Sequence, residues 1–395
     1  MDLHESEDVV AFRAEAAAWL EAHAPRKGSA DDFTIGRDRA FVDGCRRWQA
    51  TLFDAGWAGI SWPTEFGGLG RTALFDLAFR VQQARFGVSG AAFDVGIGMV
   101  GPTLMVHGTA EQKERHLPSL LRGHEVWCQM FSEPGAGSDL AGLSTEARRR
   151  PGGWVVNGQK VWTSYARFAD YAILLARSDR AQPKHRGLTC FVLDMRTRGI
   201  EIHPIRQMNG AAEFNQVFLT DVALPDDAVI GDVDGGWTVA NTMLGSERGL
   251  AGDEWPGVPE LIEIARHRGL AADPLTRQHI AATFVGQEIL RYLNLRVQSR
   301  LGRAEPVGAL ASIVNLFFAD HLRRSATVAS SLLGPELLTA RPQIGLAGRW
   351  QYHLLTAPSV RIASGTDEIQ RNILGERALG LPREPRPEPV VATLT

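Results

Sequence analysis

Cysteine is scarce: three residues in 395, Cys45, Cys128 and Cys190, none of them part of a CxxC pair. Thiols this few and scattered exclude a disulfide framework and a zinc site, and each is expected to be buried and free. Long apolar runs are also missing. No stretch of about 18 apolar residues is present, so no membrane-spanning helix is predicted. The opening MDLHESEDVVAF puts acids where a signal peptide needs a basic region and an apolar core, which predicts a cytoplasmic chain. Nor is there an excess of charge: 42 Lys and Arg against 45 Asp and Glu leave a net charge of -3. That balance offers no general attraction to nucleic acid or acidic lipid. What remains is ordinary globular composition, 44% hydrophobic and 22% charged, in a chain too long for one growing core.

The texture changes twice along the chain. Residues 1–122 are mostly helical, beginning with Val9, Phe12, Ala16, Trp19 and Leu20 on one helical face. FGGLGRTA contains a G-x-G-x-x-A match at Gly68, Gly70 and Ala73. A dinucleotide fingerprint needs a strand leading into it, and the proline of Ser61-Trp62-Pro63-Thr64-Glu65 opposes one. Residues 123–234 form a β domain. Asn157-Gly158 between WVV and KVW is a hairpin signal, and strands are expected at Tyr171–Ala176, Leu188–Leu193, Ile200–Ile205 and Gln216–Leu219. Residues 235–380 return to helix, over Thr238–Ala251, Leu275–Leu301, Ala309–Leu333 and Glu368–Ala378. The proline-rich tail, 381–395, is expected to be extended and mobile. The predicted fold class is therefore mainly α with a central β domain.

Two segments have compositions suited to holding a ligand. QMFSEPGAGSDLAG gathers Ser132, Ser138, Gly135 and Gly137, a turn in which backbone N–H groups can approach an anionic or carbonyl-rich ligand. It also fits an ordinary polar loop with a Ser138 or Asp139 cap. About twenty residues on, a strand ends in Trp162-Thr163-Ser164, a planar ring beside two hydroxyls, although a strand tryptophan is often just core.

WPTEFGGLG, HGTAEQKERHLP, FSEPGAGSD, NGQKVWTSYARFADYAILLARSD, FNQVFLTDVALP and SGTDEIQRNILGERALGLP occur in that order. With them the chain resembles the acyl-CoA dehydrogenase family over almost its whole length. The resemblance implies an N-terminal helical domain, a β-barrel-like middle domain and a C-terminal four-helix bundle. It implies FAD, an acyl-CoA substrate, an electron-transfer flavoprotein as acceptor, and a homotetramer or a heterotetramer with a related chain. By the same resemblance Gln129, Phe131, Ser132, Gly137, Ser138, Trp162, Thr163, Ser164, Thr366 and Glu368 contact FAD. Ser138 also lies near the CoA, and Arg248, Ser364 and Gly365 line the substrate. Arg300 or Arg296 corresponds to the arginine that reaches a neighbouring subunit's flavin; the usual RxxFG signature is absent. The family's QxxGGxG segment appears as Ser331-Leu332-Leu333-Gly334-Pro335-Glu336-Leu337.

The implied reaction removes a proton α to the thioester carbonyl and sends a β-hydride to flavin N5, giving a trans-2-enoyl-CoA. It requires a carboxylate in a dry site and donors on the thioester oxygen. Many members carry that base immediately before the Gly-Thr of the C-terminal motif, where this chain has Ser364. No nucleophile elbow surrounds this serine. A branch including isovaleryl- and long-chain-type enzymes places a glutamate before an arginine on the first long helix of the last domain. Glu247-Arg248 matches that pattern. Helical spacing agrees independently: Ala240, Met243, Leu244, Glu247, Leu250 and Ala251 share one face. A carboxylate within an apolar stripe is a base with a raised pKa or one half of a structural ion pair. Moving the base to Glu247 frees space beside residue 364, which predicts tolerance of branched or bulky acyl groups. Two other functions fit the same fold: a flavin oxidase or monooxygenase, and an FAD-binding subunit of a mixed tetramer.

Overall fold

The computed structural model describes residues 6–383 apart from 35, 37, 248–254, 302, 304 and 341–344. Five helices open the chain: α1 (Glu7–His23), α2 (Arg39–Asp54), α3 (Ala73–Gln83), α4 (Gly101–His107) and α5 (Ala110–Leu121). The stripe expected on α1 is buried at Val9, Phe12, Ala16 and Leu20. α5 starts on a capping box, in which Thr109 and Gln112 exchange side chain to backbone hydrogen bonds of 3.1 and 3.2 Å. The approach to Gly68 is a short 3-10 turn, Thr64–Phe66, and a Cβ on Gly68 would lie 2.2 Å from the Trp62 carbonyl oxygen. The glycines of FGGLG therefore serve close packing, and the dinucleotide reading falls.

Eight strands follow: β1 (Trp127–Met130), β2 (Glu146–Arg150), β3 (Gly153–Ser164), β4 (Tyr171–Arg177), β5 (Leu188–Asp194), β6 (Ile200–Pro204), β7 (Phe214–Pro225) and β8 (Val229–Ile230). They form one sheet in the order β6-β7-β3-β2-β4-β5-β8, with β1 parallel to β4. The hairpin expected at Asn157-Gly158 is not there. β3 runs straight through both residues, and the turn is Pro151-Gly152, between the paired Arg150 and Gly153. Asn157-Gly158 instead marks a bulge against β7. A Cβ at Gly158 would come within 2.7 Å of the Thr145 Cα, so the glycine admits the neighbouring chain rather than reversing its own.

The remaining helices are α6 (Gly236–Glu247), α7 (Val258–His267), α8 (Pro274–Leu301), α9 (Leu310–Leu333), α10 (Pro335–Thr339), α11 (Gly345–Val360) and α12 (Asp367–Ile373). α7, α8, α9 and α11 pack together around Leu261, Ile264, Ala329, Leu332 and Trp350. α7 and α11 lie outside the helices expected from the sequence, and α7 carries Pro259 in its first two positions. α6 belongs elsewhere. Its Val239, Ala240 and Met243 enter the same core as Trp62, Met99 and Leu104 of the N-terminal domain and Trp127, Ile173 and Cys190 of the sheet. All three cysteines are buried. Among the described residues no helix is long and apolar enough to cross a membrane.

Candidate active site

The two glycine- and hydroxyl-rich segments meet at the end of the sheet. β1 delivers Gln129 and leads into Phe131 and Ser132, and a short bridge between Glu133 and Ala136 folds the loop back on itself, with N···O distances of 3.1 and 3.0 Å. β3 runs alongside, and the Val161 N–H donates to the Ser132 carbonyl oxygen at 2.9 Å. Behind that contact lies an ion pair absent from the sequence reading. Lys160 is fully buried; its Nζ donates to Glu133 Oε1 at 2.9 Å and to the Phe131 carbonyl oxygen at 3.0 Å. Glu133 also accepts from Ser144 N, Ser144 Oγ and Thr145 N at 2.7 to 2.8 Å. Burial alone would raise its carboxyl, but the Lys160 charge and these hydrogen bonds outweigh burial and hold it at about 2. Burial dominates at Lys160 and pulls the ammonium down to about 8 against the attraction of Glu133. The pair is charged at neutral pH.

Two residues past Lys160 the strand leaves regular geometry. Its register against β7 shifts between Lys160 and Thr163, and Trp162 takes the left-handed conformation, φ 61°, which costs a residue with a Cβ of order 1 kcal/mol. The indole is pushed outward to 57% exposure and touches Phe214 edge-on. Beyond it the chain is secured again. The fully buried Asn215 donates to the carbonyls of Thr163 and Glu213 at 2.9 Å, and Tyr165 N–H donates to Glu213 O at 2.8 Å. A strained, exposed tryptophan between two buried clamps presents a planar ring face at the surface.

Gln129 Nε2 and Thr163 Oγ1 are buried without a hydrogen-bond partner, and a Cβ at Gly135 or Gly137 would meet no protein atom within 4 Å. Ser132 and Ser164 are half-buried, while Gly137 and Ser138 are exposed. The proposed cap at Ser138 or Asp139 is not formed. The short helical turn Leu140–Gly142 has no side-chain cap, and Asp139 pairs with Lys184 at 2.7 Å. A carbonyl-rich aromatic cofactor suits this donor-lined, open ledge.

The C-terminal motif is organised by its own helix. Thr366 Oγ1 caps α12, accepting from Ile369 N at 3.3 Å, and Glu368 is exposed. Ser364 and Gly365 both have positive φ, 55° and 95°. Gln370 Nε2 holds the Ser364 carbonyl at 2.8 Å, and Arg361 Nε closes the turn on Asp367 Oδ2 at 2.7 Å. Glu247 is the last residue of α6; its side chain lies outside the described residues, as do Arg248, Leu250 and Ala251. Upstream, the stripe is real: Ala240 and Met243 are buried and Leu244 packs against the core. α6 is further tied to α4 by His107 Nε2 and Thr242 Oγ1 at 2.8 Å. Arg300 Nη1 donates to the Pro306 and Val307 carbonyls at 3.2 and 3.3 Å, closing the connection between α8 and α9.

Family models for acyl-CoA dehydrogenase match the N-terminal domain over residues 6–124, the middle domain over 128–222 and the C-terminal domain over 234–379. Acyl-CoA dehydrogenase IpdE1 of Mycobacterium tuberculosis is 35% identical over 388 residues, covering 96% of this chain and 99% of the relative. The chain belongs to the acyl-CoA dehydrogenase family. It is an oxidoreductase acting on CH–CH bonds, in a family that uses FAD. Acyl-CoA dehydrogenase FadE34 of M. tuberculosis is 37% identical over 340 residues, 85% of this chain and 46% of that protein. The steroid ACAD Tcur3481-Tcur3483 superposes with a TM-score of 0.84 at 28% identity, over 97% of this chain and 100% of that one. The ChsE4-ChsE5 complex from M. tuberculosis does so with a TM-score of 0.79 at 27% identity, over 97% and 100%. The expected order of helical, β and helical domains is the fold of this acyl-CoA dehydrogenase.

Proposed function

We propose that this acyl-CoA dehydrogenase acts on a bulky acyl-CoA, a steroid-derived thioester, with Glu247 as the base that removes the α proton. The observation that carries this reading is at residue 364. A neutral serine occupies the turn before Gly365-Thr366, where many family members have their glutamate, and Gln370 and the Arg361–Asp367 pair hold that turn. A hydroxyl there cannot take a proton from carbon, so the carboxylate has to come from another element. Glu247 follows helical turns that are packed in the shared core, which anchors the backbone leading to it. The steroid ACAD and IpdE1 likenesses support the substrate class.

Bound FAD would supply the oxidant that accepts the β-hydride. Gln129, Phe131, Ser132, Gly137 and Ser138 would hold it from one side. Trp162, Thr163 and Ser164 would hold it from the other, with Thr366 and Glu368 from the last domain. Ser138, Arg248, Ser364 and Gly365 would line the thioester. Since Arg300 already closes its own turn, Arg296 is the better choice for a neighbouring subunit's flavin. The ChsE4-ChsE5 complex supports assembly with a related chain, and an electron-transfer flavoprotein is the proposed acceptor. The test is an anaerobic screen of acyl-CoAs, straight-chain to steroid-derived, following flavin bleaching in the native chain and in Glu247→Gln. Bleaching should be fastest with the bulky thioesters and fall by about 10²-fold or more in the variant. Equal rates in both proteins would reject Glu247, and activity confined to short straight chains would reject the substrate class.

A further inference from the structure

Lys160 and Glu133 serve no part of the reaction described above, yet they are the most deeply buried opposite charges at the proposed cofactor ledge. Full burial of Lys160 bars it from touching a substrate. Burying an ion pair is also a poor way to gain stability, because well-packed apolar residues do as well or better. What the pair does is geometric. One Nζ holds both the Phe131 carbonyl and the Glu133 carboxylate, and Glu133 in turn holds the backbone of Ser144 and Thr145. The start of the 131–138 loop and the strand that carries Trp162 are thereby fixed to each other. On the far side, Asn215 fixes Thr163. With both flanks immobile, the left-handed conformation of Trp162 cannot relax into a regular strand.

We propose that Lys160 and Glu133 are positioning residues for the flavin, setting the spacing between the 131–138 loop and the Trp162–Ser164 ledge so that both grip the cofactor together. This rests on the reading that FAD is held by those two segments. The pair is a hidden brace whose loss separates cofactor affinity from stability.

The experiment compares Lys160→Met, the double variant Lys160→Met with Glu133→Gln, and Leu193→Ala, a control that opens the core of the same sheet. Each is purified, stripped of flavin, and measured for Tm and for FAD affinity by quenching of flavin fluorescence, always at the same interval below its own Tm. Glutamine keeps one acceptor oxygen, enough for the Ser144 N–H and hydroxyl, and gives up the contact to Thr145 N, so the double variant removes the charges and retains the larger share of those contacts. Lys160→Met alone should lower the Tm through its unpaired carboxylate, and the double variant should recover much of that loss. FAD affinity should fall by about tenfold or more in both, the scale on which groups behind a binding residue act, while Leu193→Ala keeps near-native affinity. Native affinity in the double variant would overturn the proposal, as would a loss in Lys160→Met no greater than in Leu193→Ala. Failure of the unmodified chain to bind FAD would instead refute the flavin ledge itself.

Discussion

His353 makes the stability of the C-terminal helices depend on pH in a calculable way. The imidazole is fully buried on α11. It stacks on Trp350 at 5.1 Å and meets Trp255 edge-on at 4.9 Å. Nε2 lies 2.9 Å from the Leu322 carbonyl oxygen, which makes it the protonated nitrogen, and Nδ1 is buried without a partner. Burial lowers the pKa from 6.5 to about 4; the Leu322 hydrogen bond works against this and nearby His321 adds to it. The folded-state value lies below the unfolded one, so between about 4 and 6.5 the unfolded chain binds more protons. The stability associated with neutral His353 is fully present above pH 6.5 and is lost as the pH falls toward 4. A shift of this size corresponds to about 3 kcal/mol in all, of which about 2 kcal/mol is lost by pH 5. Glutamine cannot titrate but can still donate to Leu322. Urea unfolding of the native chain and His353→Gln, run from pH 7.5 to pH 5, should show the native protein's advantage shrinking by about 2 kcal/mol. Other titrating groups are common to both proteins and drop out of the difference. A difference that stays constant with pH would refute the assignment of a neutral buried imidazole.

Gly101→Ala should destabilise, although alanine is the better helix former by about 1 kcal/mol. The added Cβ would lie 2.2 Å from the Trp62 ring, which is buried and donates to the Ile97 carbonyl, so overpacking of about 1–3 kcal/mol should win and lower the Tm. Trp162→Gly should leave the flavin-free chain within about 1 kcal/mol of native stability, because relief of the left-handed strain offsets the lost Phe214 contact. FAD affinity should nevertheless drop sharply; a variant that keeps the cofactor would show that Trp162 is only a surface residue.

The sequence was most legible where a periodic pattern coincided with burial. The apolar stripe of α1 followed from its period and the strand expected at Tyr171–Ala176 from its apolar composition, and every residue of β4 is buried. It misled where a local signal served a tertiary need. Asn157-Gly158 has turn chemistry, but its glycine exists because Thr145 passes against it, a contact invisible in a window of ten residues. Lys160 was overlooked for the same reason. A lysine at a strand position reads as solvent-facing, and only the return of Glu133 from 27 residues earlier makes its burial affordable. α7 was legible but not read: Pro259 at its start and the spacing of Val258, Leu261, Ile264 and Ala265 both mark a helix.

The position of α6 supports the proposal that Glu247, rather than residue 364, supplies the base. Helices that pack only on their own domain move with it. α6 instead starts against β5, where a Cβ on Gly236 would lie 2.8 Å from the backbone of Leu188 and Cys190. It continues through Val239, Ala240 and Met243 into the core shared by the N-terminal domain and the sheet. The turn at 361–367 is braced differently, by Arg361, Asp367 and Gln370 within the C-terminal helices. The α6 backbone leading to the proposed base is therefore packed on the same sheet that carries Trp162. A base at residue 364 would depend on the C-terminal helices keeping their place against that sheet. Proton removal tolerates little displacement, since misplacement by about 1 Å can cost on the order of 10² in rate. Under the proposed assignment, a carboxylate on α6 would relieve the 361–367 turn of that demand and leave it free to vary with the acyl group.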